Sequence, residues 1–481
     1  MFLGLDLGTT NVKAIVVDRR GQRLADAAVP IALHYCDDQG VEQDIEEIWN
    51  AVLEAVRQVC STVDGHRVEA VGVSSQGGAV QWLDSQGRSV GRVISWLDPR
   101  GGPFDEIALQ HWGRDWLKEH VYRGCAGLAI GQILRIRQQN PERLEVGHRI
   151  GFVGDIIVSR LCGRAAQDGT SCGLTMLYNP RLRQYDPNLL AWLQVSADQL
   201  PDLLPARSVA GRVRDSISAA TGLPPGIPVS PAVHDQYAAA LGSGAVHAGT
   251  VMIGTGTAWV LLAIHGHLSA PVIDEAFVCH HVMEGRWGQI LSLGNGGSAF
   301  AWALHLTRME GERSDKIESL LRQATPGCDG LRCWPFLAAW NVAGVPQSTT
   351  GRLVGLRIQH GPAELLRSVV EGLGCELNRY LEMLRGADWP VERIVVGGGA
   401  AESPTTAQIL ADITGVPLTC VGYRDTSLLG AAMLARGLVE PNASLIDLAD
   451  SMRPPAVELL PGANRPLYGE LYRHYVESLP H

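Results

Sequence analysis

Short apolar runs that are separated by turn residues open each half of the chain. Near the N-terminus, the apolar segments 2–7 and 12–17 flank a Gly-Thr-Thr turn, which predicts a β-hairpin. The pattern returns in the second half, where segments 250–253 and 258–264 flank a Gly-Thr-Gly-Thr turn. A similar hairpin at the start of each half predicts two related domains.

Helical periodicity fills much of the remaining chain. Apolar residues recur at helical spacing in 45–60, where Asp44 is a suitable N-cap, and along the long segment 365–385. Shorter helices are predicted at 130–139, 156–162, 406–414 and 467–479, further strands at 68–73 and 393–396, and a further hairpin at 80–93. Segment 221–233 is rich in Gly and Pro and is predicted to be a connector, so the domains are expected at 1–244 and 245–481.

Length and charge narrow the class of protein. A chain of 481 residues exceeds what one core usually supports, and its 46% hydrophobic and 19% charged residues are typical of a globular protein. The net charge of −10 argues against nucleic acid or an anionic membrane as the main partner. The 10 cysteines form no Cys-x-x-Cys pair and no signal peptide is recognised, so a reduced, cytoplasmic protein is expected.

The first hairpin carries candidate phosphate-binding chemistry. A Gly-Thr-Thr turn lets backbone amides and hydroxyls approach phosphate oxygens, and Lys13 can meet the charge of a transferred group. Asp6 at the strand end can hold Mg²⁺ through water, since Mg²⁺ usually takes few carboxylates. The pattern alone leaves a plain tight hairpin open.

Two further clusters follow the hairpins. Asp235 comes directly after the Gly/Pro segment, where it can act as a base at a ligand site or simply cap a helix. Gly397-Gly398-Gly399 follows a predicted strand, so a flat ligand or a neighbouring helix can approach the backbone closely. Spacing does not choose between these alternatives.

The chain resembles the FGGY carbohydrate kinases, within the actin-like ATPase superfamily, over nearly its whole length. GLDLGTTNVK (4–13) looks like the first phosphate loop of the family, and segments 351–356 and 364–371 are similar to its C-terminal signature. VVGGGAAESP (395–404), QILADITGVPL (408–418) and SLLGAAMLA (427–435) look like its adenosine-binding region. The resemblance implies an α/β fold of two actin-like (ribonuclease H-like) domains with a cleft between them, the N-terminal domain binding sugar and the C-terminal domain binding nucleotide.

The resemblance also implies roles for individual residues. Asp235 is expected to be the catalytic base, and Asp6 to act on the metal side with ATP and Mg²⁺ as cofactors. Substrate-binding residues are expected at Gln76, Trp96, Asp98, Arg100 and Gln236. The nucleotide and its phosphates are expected to contact Thr9, Thr10, Asn11, Lys13, Thr255, Gly256, Gly297, Gly398, Gly399 and Ser403.

The sugar-binding motifs depart from the family pattern. Where xylulokinases carry a Gln-Met-His segment, this chain has Gln76-Gly77-Gly78, and Leu97 replaces the usual Asn before Asp98. The Lys of the N-terminal signature is replaced by Gln132. The predicted reaction is phosphorylation of a ketopentose, as in xylulokinases, but with D-xylulose used poorly or a compensating residue elsewhere. Ribulose, a polyol or an aldonate as acceptor, a non-kinase actin-like ATPase module, and a homodimeric assembly stay open as alternatives.

Overall fold

The chain divides into two compact units that are not contiguous in sequence. The computed structural model describes residues 1–145, 147–337, 342–346 and 348–480. Unit 1 comprises Met1–Val246, Gly266–Gly288 and Asp425–Arg453, and unit 2 comprises His247–His265, Gln289–Arg424 and Pro454–His481. The sequence predicted contiguous parts 1–244 and 245–481, and the compact units differ from them because two later segments belong to unit 1. Within the described ranges, no helix combines the length and apolar character that a membrane span needs.

The strands, in chain order, are β1 Phe2–Leu7, β2 Asn11–Val17, β3 Arg23–Pro30, β4 His34–Tyr35, β5 Val41–Gln43, β6 Ala70–Ser75, β7 Val80–Leu83, β8 Ser89–Ile94, β9 Arg149–Phe152, β10 Ala166–Gln167, β11 Tyr178–Asn179, β12 Gln184–Tyr185, β13 Asp202–Leu203, β14 Gly211–Arg212, β15 Pro228–His234, β16 Thr250–Thr255, β17 Trp259–His265, β18 Phe277–His280, β19 Trp287–Ser292, β20 Arg332–Trp334, β21 Arg352–Val354, β22 Arg393–Gly398, β23 Leu418–Val421 and β24 Ala456–Leu459. The α-helices are α1 Ile45–Thr62, α2 Gly102–His120, α3 Ala129–Gln139, α4 Val153–Cys162, α5 Gly169–Gly173, α6 Pro187–Leu193, α7 Asp215–Thr221, α8 Asp235–Ser243, α9 Gly297–Leu306, α10 Ser314–Gln323, α11 Pro362–Gly386, α12 Gly399–Glu402, α13 Pro404–Thr414, α14 Thr426–Val439, α15 Leu445–Met452 and α16 Arg465–Glu477.

The central sheet of unit 1 is ordered β13-β10-β15-β6-β1-β2-β3. Strands β1, β2 and β3 are antiparallel neighbours, whereas β6, β15 and β10 run parallel to β1. The carboxyl ends of β1, β6, β15 and β10 therefore meet at one edge of the sheet. In open α/β sheets this is the edge where ligands bind.

Unit 2 repeats this arrangement with its own strands. Its sheet contains the order β17-β16-β22-β23-β24, in which β16 and β17 form an antiparallel hairpin and β22 and β23 run parallel to β16. The prediction of a Gly-Thr hairpin that opens each of two α/β domains is confirmed.

Helix α14 belongs to unit 1 although it lies late in the sequence. It packs on β1, β6 and α8, and small residues allow that close approach. A Cβ on Gly72 would lie 1.9 Å from the carbonyl oxygen of Ala431, and one on Gly430 would lie 1.8 Å from that of Ala238. The segment 427–435, expected in the adenosine-binding region, is therefore part of the core of unit 1.

The prediction of a connector at 221–233 is wrong for its second half. Residues Pro228–His234 form β15, a fully buried central strand. Proline lacks the N–H that a strand ladder uses, so Pro228 and Pro231 favoured a connector over a strand. The strand tolerates them through a register shift between Val229 and Ala232, and the hydroxyl of Ser230 accepts the N–H of Val73 at 3.0 Å.

Candidate active site

Asp235 stands at the carboxyl end of β15 as the first residue of α8. The N-cap position of the helix is held by His234, so the capping role that the sequence left open for Asp235 does not apply. Its side chain is 31% exposed and accepts hydrogen bonds from the backbone N–H and the side chain of Gln236. Loss of hydration on burial raises the pKa of Asp235 to about 6. A carboxylate with such a pKa can exchange a proton near neutral pH.

A hydrogen-bond chain fixes the end of strand β15. The N–H of His234 donates to Thr170 Oγ1 at 2.9 Å, and that hydroxyl donates to Asp168 Oδ1 at 2.6 Å. Asp168 also caps α5 by accepting the N–H groups of Thr170 and Ser171. Sequence reasoning missed these residues, although Asp followed by Thr and Ser is a typical N-cap pattern.

Asp6 lies near the end of β1, where the charge of Asp235 acts on it. Its Oδ1 accepts the hydroxyl of Ser74 and its Oδ2 that of Ser427, both at 2.8 Å. Burial and, second, the charge of Asp235 raise the pKa of Asp6. A carboxylate whose ionisation is opposed by the charge of a neighbouring carboxylate fits a site for a divalent cation held through water. The described residues contain no cluster of three or more metal-ligating side chains.

Other residues of the N-terminal strands form ion pairs directly before the start of α14. Lys13 Nζ forms an ion pair with Asp425 at 3.0 Å, and Arg23 contacts the other oxygen of Asp425 at 3.2 Å. Thr10 is exposed at the turn, where its hydroxyl accepts the Asn11 amide at 3.1 Å. Asp425 and Ser427 were not predicted as site residues, because only the fold brings α14 to this hairpin.

Three predicted site residues form one polar network. Trp96 Nε1 donates to Thr9 Oγ1 at 3.0 Å, and Thr9 Oγ1 donates to Gln76 Oε1 at 3.1 Å. Gln43, which was not predicted, accepts from Gln76 at 3.0 Å and donates to the Thr9 carbonyl at 2.9 Å. Trp96 is 42% exposed, so part of its side chain is accessible to a ligand.

Asp98 and Arg100 lie in a saturated ion-pair cluster. The side chain of Asp98 is 0% exposed, and it accepts from Arg100 and from the N–H of Val41 at 2.9 Å. Arg100 also contacts Asp38 and Glu42. The carboxylate of Asp98 therefore has no free side toward a ligand, and a direct contact with the sugar finds no support in this geometry.

Gly77 leaves room for an imidazole. A Cβ at Gly77 would lie 2.7 Å from Cδ2 of His234 and 2.8 Å from Cβ of Leu174. The buried ring of His234 therefore occupies the space where a side chain at position 77 would start, and its Nε2 lies 3.4 Å from Asp235 Oδ1. Burial lowers the pKa of His234 to about 4, so the ring is neutral at pH 7. Sequence reasoning did not find this residue, because His234 and Gly77 are far apart in the chain.

Unit 2 holds a separate group of predicted residues. Thr255 Oγ1 donates to the carbonyl of Gly397 at 2.6 Å and accepts the N–H of Ala400 at 3.0 Å, which joins the hairpin to the glycine turn. The N–H of Gly297 donates to the carbonyl of Gly256 at 2.9 Å. A Cβ at Gly397 would meet nothing within 4 Å, so open space lies beside this turn. Such a cradle of backbone and hydroxyl groups fits phosphate or nucleotide.

Two other predicted nucleotide contacts in unit 2 have structural roles. Gly398, with φ +86°, adopts a left-handed conformation that favours glycine, directly before Gly399 begins α12. Ser403 caps α13 by accepting the N–H of Thr406, and its hydroxyl donates to Glu318 at 2.6 Å.

Two domains of one known protein family match the two halves of the chain. The N-terminal domain of the FGGY family of carbohydrate kinases matches residues 1–242, and its C-terminal domain matches residues 250–436.

Individual relatives agree over nearly full length. A xylulose kinase of Escherichia coli (strain K12) is 27% identical over 470 residues, covering 97% of this chain and 95% of the relative. An L-xylulose/3-keto-L-gulonate kinase of the same strain is 26% identical, covering 98% of this chain and 95% of the relative. The crystal structure of a xyloylose kinase from Brucella ovis superposes with a TM-score of 0.90 at 20% identity, covering 99% of this chain and 98% of that one.

Proposed function

The chain belongs to the FGGY family of carbohydrate kinases and is a phosphotransferase, and we propose that it transfers the γ-phosphoryl group of ATP to a hydroxyl of a ketopentose. Its similarity to xylulose kinases supports a ketopentose as the acceptor. Family membership sets aside the alternative of a non-kinase ATPase module.

The proposal rests on the exposure, the pKa and the position of Asp235. Its carboxylate is accessible, carries a raised pKa and lies at the ligand-binding edge of the sheet, close to Asp6. In the proposed reaction Asp235 takes the proton of the acceptor hydroxyl. The hydroxyl oxygen bonds to the γ-phosphorus, and the bond from that phosphorus to the bridging oxygen breaks, which releases ADP.

The chain's other groups would position the reactants. Asp6 would hold Mg²⁺ through water, and the ion would neutralise phosphate charge. The first hairpin would bind phosphate through its turn and Lys13, and Gln236 would orient both Asp235 and the sugar. The cradle at Thr255 and Gly397 would bind the nucleotide.

A second acceptor, a sugar acid, is favoured by Arg123, a partly buried arginine that forms no ion pair among the described residues. The name of one relative likewise joins a neutral ketose with a keto-acid.

A coupled assay of ADP release with purified protein tests the proposed function. The panel contains D-xylulose, L-xylulose, D-ribulose, polyols and aldonates, each with ATP and Mg²⁺. Release of ADP that depends on one of these acceptors supports the proposal, and product analysis by mass spectrometry identifies the phosphorylated sugar. Acceptor-independent hydrolysis across the whole panel would contradict it.

A further inference from the structure

Arg123 is a partly buried arginine that forms no ion pair among the described residues. It lies in the loop between α2 and α3, where Nη1 contacts Met176 Sδ at 3.8 Å and the guanidinium carbon lies 3.8 Å from the ring centroid of Phe277. Its Nε is buried without a hydrogen-bond partner. By contrast, Arg367 and Arg379 pair with Glu371 and Glu376 at 2.9 and 2.7 Å.

Neighbouring carboxylates do not neutralise Arg123 directly. Asp105 and Glu275 act on it electrostatically, yet neither forms an ion pair with it within the described ranges. Burial raises the pKa of Asp105 to about 7, so this group is only partly ionised at neutral pH. Burial also lowers the pKa of Arg123. A shielded guanidinium with unused donors is costly unless an anion joins it.

Adjacent contacts connect Arg123 to the candidate base within unit 1. A Cβ on Gly127 would lie 3.1 Å from Nη1 of Arg123, and a Cβ on Gly78 would lie 2.9 Å from the side chain of Leu128. Gly77, next in the chain, lies against His234, whose ring is 3.4 Å from Asp235. A run of neighbouring residues, in sequence or in space, thus connects the guanidinium to the carboxylate.

The backbone along this run of residues is strained. Tyr122, Leu128 and Met176 adopt φ angles of 54°, 53° and 64°, a region that residues with side chains seldom occupy. Tyr122 precedes Arg123, Leu128 lies against Gly78, and Met176 contacts the guanidinium. Strain of this kind clusters where a ligand group must be held in place.

We propose that Arg123 binds the carboxylate of the second acceptor, so that an open-chain sugar acid, with one hydroxyl at Asp235 and its carboxylate at the guanidinium, is preferred over the neutral ketopentose. The proposal rests on the proposed phosphoryl transfer and names the substrate class of the same site. A planar guanidinium suits a carboxylate because two parallel N–H groups can donate to its two oxygens. The stacked ring of Phe277 and the contact with Met176 fix the plane of that fork.

The test compares matched neutral and acidic acceptors on the full-length protein. ADP release is measured with D-gluconate against D-glucitol, and with D-xylonate against D-xylulose. We expect kcat/KM to be at least about tenfold higher for the acid of a pair, and Arg123→Gln to lower the value for the acid about 100-fold or more while changing the neutral value less than threefold. Arg92→Gln, at an exposed arginine of the same unit, is the matched control and should leave both values unchanged.

Binding without turnover separates this inference from the proposed function. Calorimetric titration of D-gluconate and D-xylonate in the absence of ATP should show binding to the wild type that Arg123→Gln weakens and Arg123→Lys partly restores. Neutral sugars preferred over acids, or equal losses for both in Arg123→Gln, would overturn the role of Arg123 while leaving a sugar kinase. If Arg123→Gln fails to fold, the wild-type preference between acid and neutral partner decides. If no sugar yields ADP, the proposed function fails, and the titrations alone decide whether Arg123 binds a carboxylate.

Discussion

Asp235 and Asp98 are two carboxylates of unit 1 with opposite surroundings. Asp98 is sealed from solvent and receives the guanidinium of Arg100 and the N–H of Val41. Asp235 is 31% exposed, and its hydrogen bonds come from the adjacent Gln236. The resemblance assigned both residues to the reaction site. The hydrogen bonds and ion pairs that a carboxylate already accepts, rather than its residue type, separate a group that is ready to react from one that supports the fold.

Removal of the charge at Asp235 should have the largest effect on turnover. Asp235→Asn keeps the size of the side chain but cannot accept the proton, so we expect kcat to fall about 10²–10⁴-fold with the best acceptor. Steady-state kinetics measures this loss, and circular dichroism checks that the fold is retained. A kcat within a few-fold of wild type would contradict the role of Asp235 as base.

The same variant should not lose stability. Because the pKa of Asp235 is raised to about 6 from an ordinary 3.8, the folded protein binds the proton more tightly than the unfolded chain between these pH values. Stability from this group therefore falls as pH rises through that range, and its cost is fully present above about pH 6. At pH 7, Asp235→Asn should melt at or above the wild-type temperature. A clear decrease would mean that the Asp235 carboxylate supports the fold.

Asp98→Ala should show the opposite behaviour. The change orphans the N–H of Val41 and removes one of three carboxylates around Arg100, so we expect the free energy of unfolding to fall by about 3 kcal/mol. Urea denaturation measures the loss. Asp38→Ala is the matched control, because Asp38 contacts the same arginine but its side chain is 60% exposed, and its loss should change the free energy of unfolding much less. Equal losses in both variants would refute the distinction.

Features that depend on neighbouring residues could be predicted from the sequence, whereas contacts between distant residues could not. The hairpin at Asp6 and helix α1 with its Asp44 cap depend on neighbouring residues, so local patterns found them. Resemblance, rather than spacing, selected Asp235. The saturation of Asp98 could not be predicted, because Val41 lies 57 residues away and only the fold brings it near. Ser427 on α14 was missed as a partner of Asp6 for the same reason.

Gly77→Ala tests whether His234 shapes the side of the site next to Asp235. The added Cβ would lie 2.7 Å from the imidazole, so the ring must shift, and overpacking of this kind costs about 1–3 kcal/mol. We expect kcat/KM to fall about tenfold, mainly through KM, because the ring moves while Asp235 stays. Gly102→Ala adds a methyl group with nothing within 4 Å and serves as the control. Unchanged kinetics in Gly77→Ala would show that the ring position does not affect the acceptor.

Trp96→Phe should have the smallest effect and defines the lower end of the comparison. It removes the indole N–H that donates to Thr9 Oγ1, but Trp96 is 42% exposed and water can replace that donor. A hydrogen bond of this type contributes about 1 kcal/mol, so KM should rise less than about fivefold with kcat unchanged. A double-mutant cycle with Thr9→Val isolates the shared contact, since coupled neighbours give non-additive changes. A loss of kcat comparable to that of Asp235→Asn would mean that this partly exposed ring takes part in the chemical step. The hydrogen bonds that a group already makes would then no longer separate reacting groups from supporting ones.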